Sequence, residues 1–489
     1  MNKKEPFLTG FSSFLFGSEK RTKQDVFRSK IDHLNTSNAS NFSMLFESVL
    51  PSESLREIQN TKRMRIYDEQ TTLWAWCSQI LEGNASCYKA VSNVQVWREQ
   101  LGLSAPSSQT KAFCDARNRL SLSFIKEANE LVIKHLDTRV TSRDLWRGLE
   151  LKAIDGSSMQ LFDTPENQLI YPQPSEQKQG CGFPVVGVCG VVNLSHGGWE
   201  TMATSALTRH DLSATYEVLE YFGERDLCLA DRAYNSYEFM SLLKGQGCES
   251  IMRLHQSRQR SLEWKSGKKL GKNDRLFVWK KPNNKPPGSR LATEEWKLLP
   301  DSQKVRIVRL RYQTRDSKVA WMYLATSLLD PQEYPYGEIC ELYHKRWVIE
   351  LKFRDVKTLL KMDMIRAKTP AVVEKTILII QLCYNMIQSL IQAASKEHLV
   401  TPNRISFKGC VDQILSHSSH YNGHQHHPHK RQSLYKTLLY KIANARLVIR
   451  PGRSEPRAKK RRPKNYQLLT KPRHEFKEIP HRNNYRKPA

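Results

Sequence analysis

The sequence predicts a mixed α/β protein: a helical segment, then a mixed sheet covered by helices, with a β-rich insertion. Three observations predict it. Apolar residues recur at helical spacing from Phe46 to His135, the texture changes at Leu149 to short strand-like runs, and from Ser257 a basic, Pro- and Gly-containing stretch breaks the strand–helix rhythm. The 489 residues exceed the usual span of one domain. The expected units are an arm over 1–44, a helical domain over 45–145, a core over 146–256, an insertion over 257–332, a second part of the core over 333–395 and a basic C-terminal region over 396–489.

The arm is polar, rich in Ser, Asn and Lys, and weakly periodic, so it is expected to be flexible. In the helical domain, TTLWAWCSQILEG and YKAVSNVQVWREQLG end on Gly83 and Gly102, which suit helix C-caps. One long helix is expected over TKAFCDARNRLSLSFIKEANELVIKHL, with Ser108, Gln109, Lys111, Arg117 and Arg119 near its start. Such a basic helix start suits groove reading of nucleic acid, and equally suits a solvated helical hairpin.

The runs LELKAID, FPVVGVCGVVNL, WETMATSALT, DLCLAD and ESIMRLH read as strands, and SATYEVLEYFG and SYEFMSLLKGQG as the helices between them. LFVWKK, VRIVRLRY and VAWMYLATS give the insertion its β character. A long helix is expected from Tyr336 and another over Val372–Ala394. The apolar run from Ile377 to Ile391 carries Gln381, Asn385 and Gln388 and is too short to span a bilayer, so it reads as a buried core helix. The basic tail beyond it cannot bury a core.

A formal charge of +28 and a pI near 9.7 point to a polyanionic partner, because clustered Lys and Arg release counterions from nucleic acid phosphates. That names a partner class and no chemistry. The ten cysteines include no C-x-x-C pair, which disfavours a zinc ribbon and fits a reduced cytoplasmic setting. The N-terminus has no sustained apolar region of the signal-peptide kind, so export is not expected.

The candidate chemistry lies in three acidic residues. Asp155 is expected to end the strand LKAID before Gly156 and Ser157, and Asp231 to end DLCLAD. Carboxylates at the ends of neighbouring strands can share a hard divalent cation, although a strand-end Asp also serves as a turn or helix cap. The third lies in ELYHKRWVIELKFRDVKTLLK. On an ideal helix Tyr343, Arg346, Glu350 and Lys357 share an arc of about 60° over about 21 Å of axis. Arg354 and Lys361 fall on or beside that face, while Leu342, Ile349, Phe353, Val356 and Leu360 form an adjoining apolar stripe. Glu350 either neutralises Arg346 and Arg354 through i−4 and i+4 pairs or serves a metal among phosphate-binding cations.

The spacing of Tyr343, Arg346, Glu350 and Lys357 resembles the Y-x(2)-R-x(3)-E-x(6)-K signature of the insertion-sequence-four family of DDE transposases. Asp231-Arg232-Ala233-Tyr234 is similar to that family's second aspartate with its following Arg and aromatic residue, and Asp155-Gly156-Ser157 to its first. The resemblance implies a ribonuclease-H-like catalytic core, an N-terminal helical DNA-binding domain and a β insertion between the second Asp and the Glu. It further implies that Asp155, Asp231 and Glu350 hold two Mg²⁺ or Mn²⁺ ions for two-metal phosphoryl transfer. Cut-and-paste transposition through a hairpin intermediate would follow, on terminal inverted repeats and target DNA, by a homodimer in the bacterial cytoplasm with no membrane association. Tyr343, Arg346 and Lys357 would hold end phosphates, with Arg232, Arg354, Lys361, Lys111, Arg117 and Arg119 as further DNA contacts.

An insertion aromatic residue would stack on a flipped base, and Trp264, Trp279, Trp296 and Trp321 are all candidates. Two other readings stay open: a catalytically silent DNA-binding derivative and a hydrolysis-only nuclease of the same fold. The cluster of His417, His420, His424, His426, His427 and His429 reads as a solvated loop, and Ser157 and Ser158 with His196 lack the G-x-S-x-G elbow of a hydrolase.

Overall fold

The computed structural model describes residues 42–60, 65–207, 212–286, 288–313, 319–422, 424, 427–449 and 468–477. Nearly all of the expected N-terminal arm, His426 and most of the basic tail lie outside the described residues.

The principal N-terminal helices are α1 (Glu69–Leu81), α2 (Cys87–Gln100), α3 (Lys111–Arg119) and α4 (Leu122–Asp137). Gly83 and Gly102 have φ of 74° and 67°, the left-handed conformation that a glycine tolerates after a helix. The single long helix expected from Thr110 is instead two, because Ser121 caps α4 by accepting from Phe124 N at 3.1 Å.

A mixed sheet of ten strands follows: β1 (Glu150–Leu161), β2 (Val185–Asn193), β3 (Trp199–Ala206), β4 (Asp226–Ala230), β5 (Glu249–Arg253), β6 (Lys268–Gly271), β7 (Asp274–Lys280), β8 (Ser302–Gln313), β9 (Val319–Thr326) and the short β10 (Met364–Ile365). Their order is β3-β2-β1-β4-β5-β9-β8-β7-β6, with β10 paired to β1. Strands β1, β4 and β5 are parallel, while β2 and β3 return antiparallel as a hairpin. Strands β6 to β9 lie within the stretch 257–332 and extend the same sheet through the antiparallel pairing of β5 with β9.

Helix α5 (Tyr237–Gly245) connects β4 to β5. Helices α6 (Tyr336–Lys345) and α7 (Trp347–Thr358) follow the insertion, then α8 (Pro370–His398), α9 (Phe407–Asn422) and α10 (Pro428–Asn444). Helix α8 is long and apolar enough to cross a membrane by length and composition, but it forms the centre of the core. Its polar residues satisfy the outer strand of the sheet: Asn385 Oδ1 accepts from Trp199 N and Asn385 Nδ2 donates to Trp199 O, each at 2.8 Å. Gln381 Nε2 donates to Glu200 O at 3.0 Å. Backbone groups of an edge strand otherwise need water or another chain. The N-terminal helices share one continuous hydrophobic core with α8 and the sheet, through Trp74, Trp76, Phe124 and Val132 among others.

One buried ion pair ties the insertion to the segment that leads into α6. Arg306 on β8 is fully buried, donates from Nε to Asp274 Oδ1 at 2.9 Å, and from Nη1 to the carbonyls of Leu328, Asp330 and Tyr334 at 3.3, 3.2 and 2.8 Å. The guanidinium is thereby nearly saturated, the condition under which burying it is tolerable.

Candidate active site

The two aspartates meet through sheet register. Ile154 on β1 pairs in parallel with Ala230 on β4, so the next residues, Asp155 and Asp231, stand side by side where β4 stops. Asp231 begins a short 3-10 turn over Arg232–Tyr234. The expectation that β1 ends at Asp155 is corrected. Gly156, Ser157 and Ser158 pair with Cys189, Val188 and Gly187 of β2, and the strand continues to Leu161. Pairing with a distant strand overrides the local preference of Gly and Ser for turns. Asp155 lies at a rim all the same, because its parallel neighbour has ended. Its Oδ1 accepts from Gly156 N at 2.8 Å.

The third carboxylate arrives on α7. The expected single helix from Tyr336 is interrupted at Arg346, whose N–H bonds Tyr343 O at 3.2 Å while its carbonyl accepts from Ile349 N at 3.2 Å. This tighter i, i+3 step separates α6 from α7. The apolar stripe is buried as its spacing requires: Ile349, Val356 and Leu360 completely, Leu342 and Phe353 nearly so.

Arg346 joins the elements. Its Nη2 lies 2.7 Å from Glu350 Oε1 and its Nη1 3.4 Å from Asp155 Oδ2, 191 positions away in the chain. The i, i+4 pair with Glu350 is thus present, whereas Arg354 turns to Asp355 at 3.1 Å. A helix-local pair would not need Asp155. Tyr343 sits under the same guanidinium, at 5.9 Å from its ring centroid.

The electrostatics bind these residues into one site. Burial, reinforced by the Glu350 and Asp231 charges and opposed by Gly156 N–H and Arg346, pushes Asp155 up to about 6. Burial opposes the charge on Arg346, but the Glu350 hydrogen bond, Tyr343, Asp155 and Asp231 outweigh it and hold the guanidinium above its usual range. Burial pushes Tyr343 up to about 12, with Arg346 opposing and Asp231 adding to the shift. Two carboxylates on one guanidinium, with a third beside Asp155 at the end of β4, carry excess negative charge among hard oxygen donors. That donor set fits a divalent cation of the Mg²⁺ or Mn²⁺ type.

The remaining sequence candidates divide. Arg232 is exposed beside Asp231 and lines a cleft of about 450 Å³ with Arg253, Arg260, Tyr312, Trp321 and Tyr323. Lys357 is half-buried on α7 and Arg354 exposed there. Lys361 lies beyond the helix, in a left-handed conformation at φ 54°, next to Gly83. Lys111 and Arg119 are exposed on α3, whereas Arg117 is turned inward, only 8% exposed and stacked at 4.2 Å over Trp76. Among the insertion tryptophans Trp296 is buried, Trp264 packs on Phe277 and Tyr323, Trp279 lies under Arg258, and Trp321 faces the basic cleft. Arg253, Arg260, Tyr312 and Tyr323 escaped the sequence reading. For Tyr312 and Tyr323 the signal was the mixture of basic and aromatic residues in VRIVRLRY and VAWMYLA, and for Arg253 and Arg260 the basic run ESIMRLHQSRQR.

His196, Asp137 and Glu200 bring ligand-type atoms within 4.8 Å of one another, which Asp155, Asp231 and Glu350 do not. Gly198 N donates to His196 Nδ1 at 3.0 Å, so the neutral ring carries its proton on Nε2, which faces Glu200 at 3.2 Å and Asp137 at 3.4 Å. With no lone pair directed at the carboxylates, this trio is a hydrogen-bonded clamp between α4 and the β2–β3 hairpin rather than a cation site.

Residues 146–386, which contain all three carboxylates, match the family described as the transposase DDE domain. The chain is also similar to the transposase InsG for insertion sequence element IS4 of Escherichia coli, 26% identical over 418 residues that cover 84% of this chain and 89% of that one. The transposase for insertion sequence element IS421 of Escherichia coli is 31% identical over 107 residues, 22% of this chain and 28% of that one. A solved structure, the piggyBac transposase synaptic complex with hairpin DNA, aligns with TM-score 0.41 and 9% identity over 86% of this chain and 88% of that one. The chain is thus similar over residues 146–386 to the transposase DDE domain and over most of its length to an insertion-sequence transposase.

Proposed function

We propose that the chain is a cut-and-paste DNA transposase whose catalytic residues are Asp155, Asp231 and Glu350. The observation that carries this reading is the meeting of Asp155 from β1 and Glu350 from α7 on Arg346, with Asp231 set beside Asp155 at the end of β4 by the strand register. The sheet order β3-β2-β1-β4-β5, with the first hairpin antiparallel and the rest parallel, supports a ribonuclease-H-like core. Asp155, Asp231 and Glu350 would hold the divalent ions, two per site by resemblance, which when bound supply Lewis acidity and an activated oxygen nucleophile for in-line phosphoryl transfer.

The chain's own residues account for binding and orientation. Arg346 bonds Asp155 and Glu350 in the free protein, and its planar fork suits a phosphate. Tyr343 stays protonated at neutral pH, being pushed up to about 12, and so remains a hydrogen-bond donor to a phosphate oxygen. Lys357, Arg354, Arg232, Arg253 and Lys361 extend the cationic surface on either side, and Lys111 and Arg119 would contact duplex from α3, with Arg117 set apart by its burial.

The partners are double-stranded terminal repeats and target DNA, met by a homodimer in the bacterial cytoplasm. A hairpin step requires room for an unpaired base. Trp321, beside Arg232 and Arg253 in the cleft, is the insertion tryptophan we assign to stack on it.

The test is incubation of the full chain with an end-bearing duplex and Mg²⁺, resolved on denaturing gels. Nicks, hairpins and strand-transfer products are expected in that order. Nicks alone would replace the reading with a simple nuclease, and no metal-dependent product with a silent DNA-binding derivative.

A further inference from the structure

The N-terminal helices hold a second reactive arrangement, independent of the carboxylate site. Cys87 is the first residue of α2, whose N-cap Ser86 accepts from Lys89 N at 3.2 Å. The groups that bond its sulfur are donors, Arg117 Nη1 at 3.4 Å and Gln79 Nε2 at 3.8 Å, and Cys114 on α3 is a neighbour. A sulfur met by a guanidinium and an amide at a helix N-terminus is arranged as a hydrogen-bond acceptor.

Arg117 is held on the inward face of α3 beside this sulfur. It is only 8% exposed, sandwiched against Trp76, and its Nε has no hydrogen-bond partner. The groups that favour its charge are Cys87 and Cys114, while burial opposes it. The Trp76 ring and the Cys87 sulfur are the groups that compensate this buried guanidinium.

The pair is reachable. Cys87, Cys114 and Arg117 line a cavity of about 490 Å³ that separates the N-terminal helices from Phe162, Lys368 and Val372 of the core. Of the ten cysteines, seven are buried, and only Cys87, Cys114 and Cys340 keep partial exposure.

We propose that Cys87 and Cys114 form a peroxide-reactive thiol pair, with Cys87 the nucleophile, Cys114 the resolving thiol and Arg117 the positioning cation. The Cys87 thiolate attacks one oxygen of hydrogen peroxide, the O–O bond breaks, and hydroxide leaves as Cys87 becomes a sulfenic acid. Cys114 then attacks the Cys87 sulfur and the S–O bond breaks with loss of water, closing a disulfide between α2 and α3. Two electrons pass from the thiols to the peroxide, which supplies the oxidising power. Arg117 and Gln79 aim N–H groups at the Cys87 sulfur, the geometry that suits the attacking thiolate.

The test uses the full reduced chain exposed to hydrogen peroxide, quenched with iodoacetamide, digested and mapped by mass spectrometry. A Cys87–Cys114 cross-linked peptide that dithiothreitol removes is expected before Cys340 is oxidised. Cys114→Ser should leave a Cys87 sulfenic acid that dimedone traps, and Cys87→Ser should leave Cys114 reduced. Arg117→Lys should slow alkylation of Cys87 at neutral pH at least tenfold relative to Cys340 in the same molecule, a ratio that a general loosening would move the other way. Oxidation of Cys340 ahead of the pair, or Cys114 oxidised equally in Cys87→Ser, would overturn the proposal. The wild-type map decides without any variant having to fold.

Discussion

Replacing Asp155 by Asn should stabilise the metal-free protein while abolishing its response to Mg²⁺. Burial and the neighbouring carboxylates raise Asp155 from 3.8 to about 6. Two pKa units correspond to a ceiling of about 3 kcal/mol held against the ionised, folded state. The side chain keeps 22% exposure, and the amide forfeits a 3.4 Å ion pair with Arg346. Those two effects bring the expected gain to about 1–2 kcal/mol. Asn can still accept from Gly156 N, so the local turn is retained.

The sign follows from the raised value. The folded state binds this proton more tightly than the unfolded one, so the penalty is present above about 6 and vanishes below about 4. At roughly 2.1 cal/mol/K per residue, a chain of this length changes Tm by about 1 °C per kcal/mol. Differential scanning fluorimetry at neutral pH in chelator should therefore show Asp155→Asn melting about 1–2 °C above wild type, with the difference gone at about pH 4. Millimolar Mg²⁺ should raise the wild type and leave the variant unmoved. A variant less stable than wild type at neutral pH, with an intact Mg²⁺ response, would refute the crowded-carboxylate reasoning.

Other perturbations reach the rest of the structure. Mn²⁺ affinity, measured by calorimetry, should rise by up to about tenfold per pH unit below about 6 and flatten above it, as Asp155 gives up its proton; a flat profile would remove Asp155 from the site. Arg306→Met should cost about 3–5 kcal/mol in urea unfolding, because it strands the Asp274 carboxylate and three carbonyls; a change under about 1 kcal/mol would show the pair to be dispensable. Trp321→Ala should weaken binding to a hairpin-ended duplex by about 1–3 kcal/mol in fluorescence anisotropy and leave a blunt duplex nearly unaffected; equal losses on both would deny it a base-stacking role.

The parts of the fold set by local pattern were legible in the sequence. The apolar stripe of α7, the glycine ends of α1 and α2, and the strand runs all follow from periodicity that each segment carries by itself. What failed to show depended on partners far along the chain. Nothing within Gly156-Ser157-Ser158 announces that β2 will pair with it, so β1 seemed to stop at Asp155. The break at Arg346 likewise accompanies a contact to Asp155, invisible to a helical wheel drawn on α7 alone. Arg117 is a different case: Phe113, Ala116, Arg117 and Leu120 repeat at i, i+3, i+4 and i+7 and all are buried, so its inward face was readable from spacing. The helical segment's fusion with the core through α8 was not, because its apolar face could have been buried within the segment itself.

The most direct measurement separates binding from chemistry at Glu350. Full-length wild type and Glu350→Gln are compared on an end-bearing duplex, with retention by gel shift in Ca²⁺ and strand cleavage by denaturing gel in Mg²⁺. The triad predicts that Gln, which preserves shape and the Arg346 contact while removing the charge, binds the end within a few-fold of wild type and cuts at least about a thousandfold more slowly. Cleavage by Glu350→Gln at a rate near wild type, or end binding lost in step with cleavage, would contradict it.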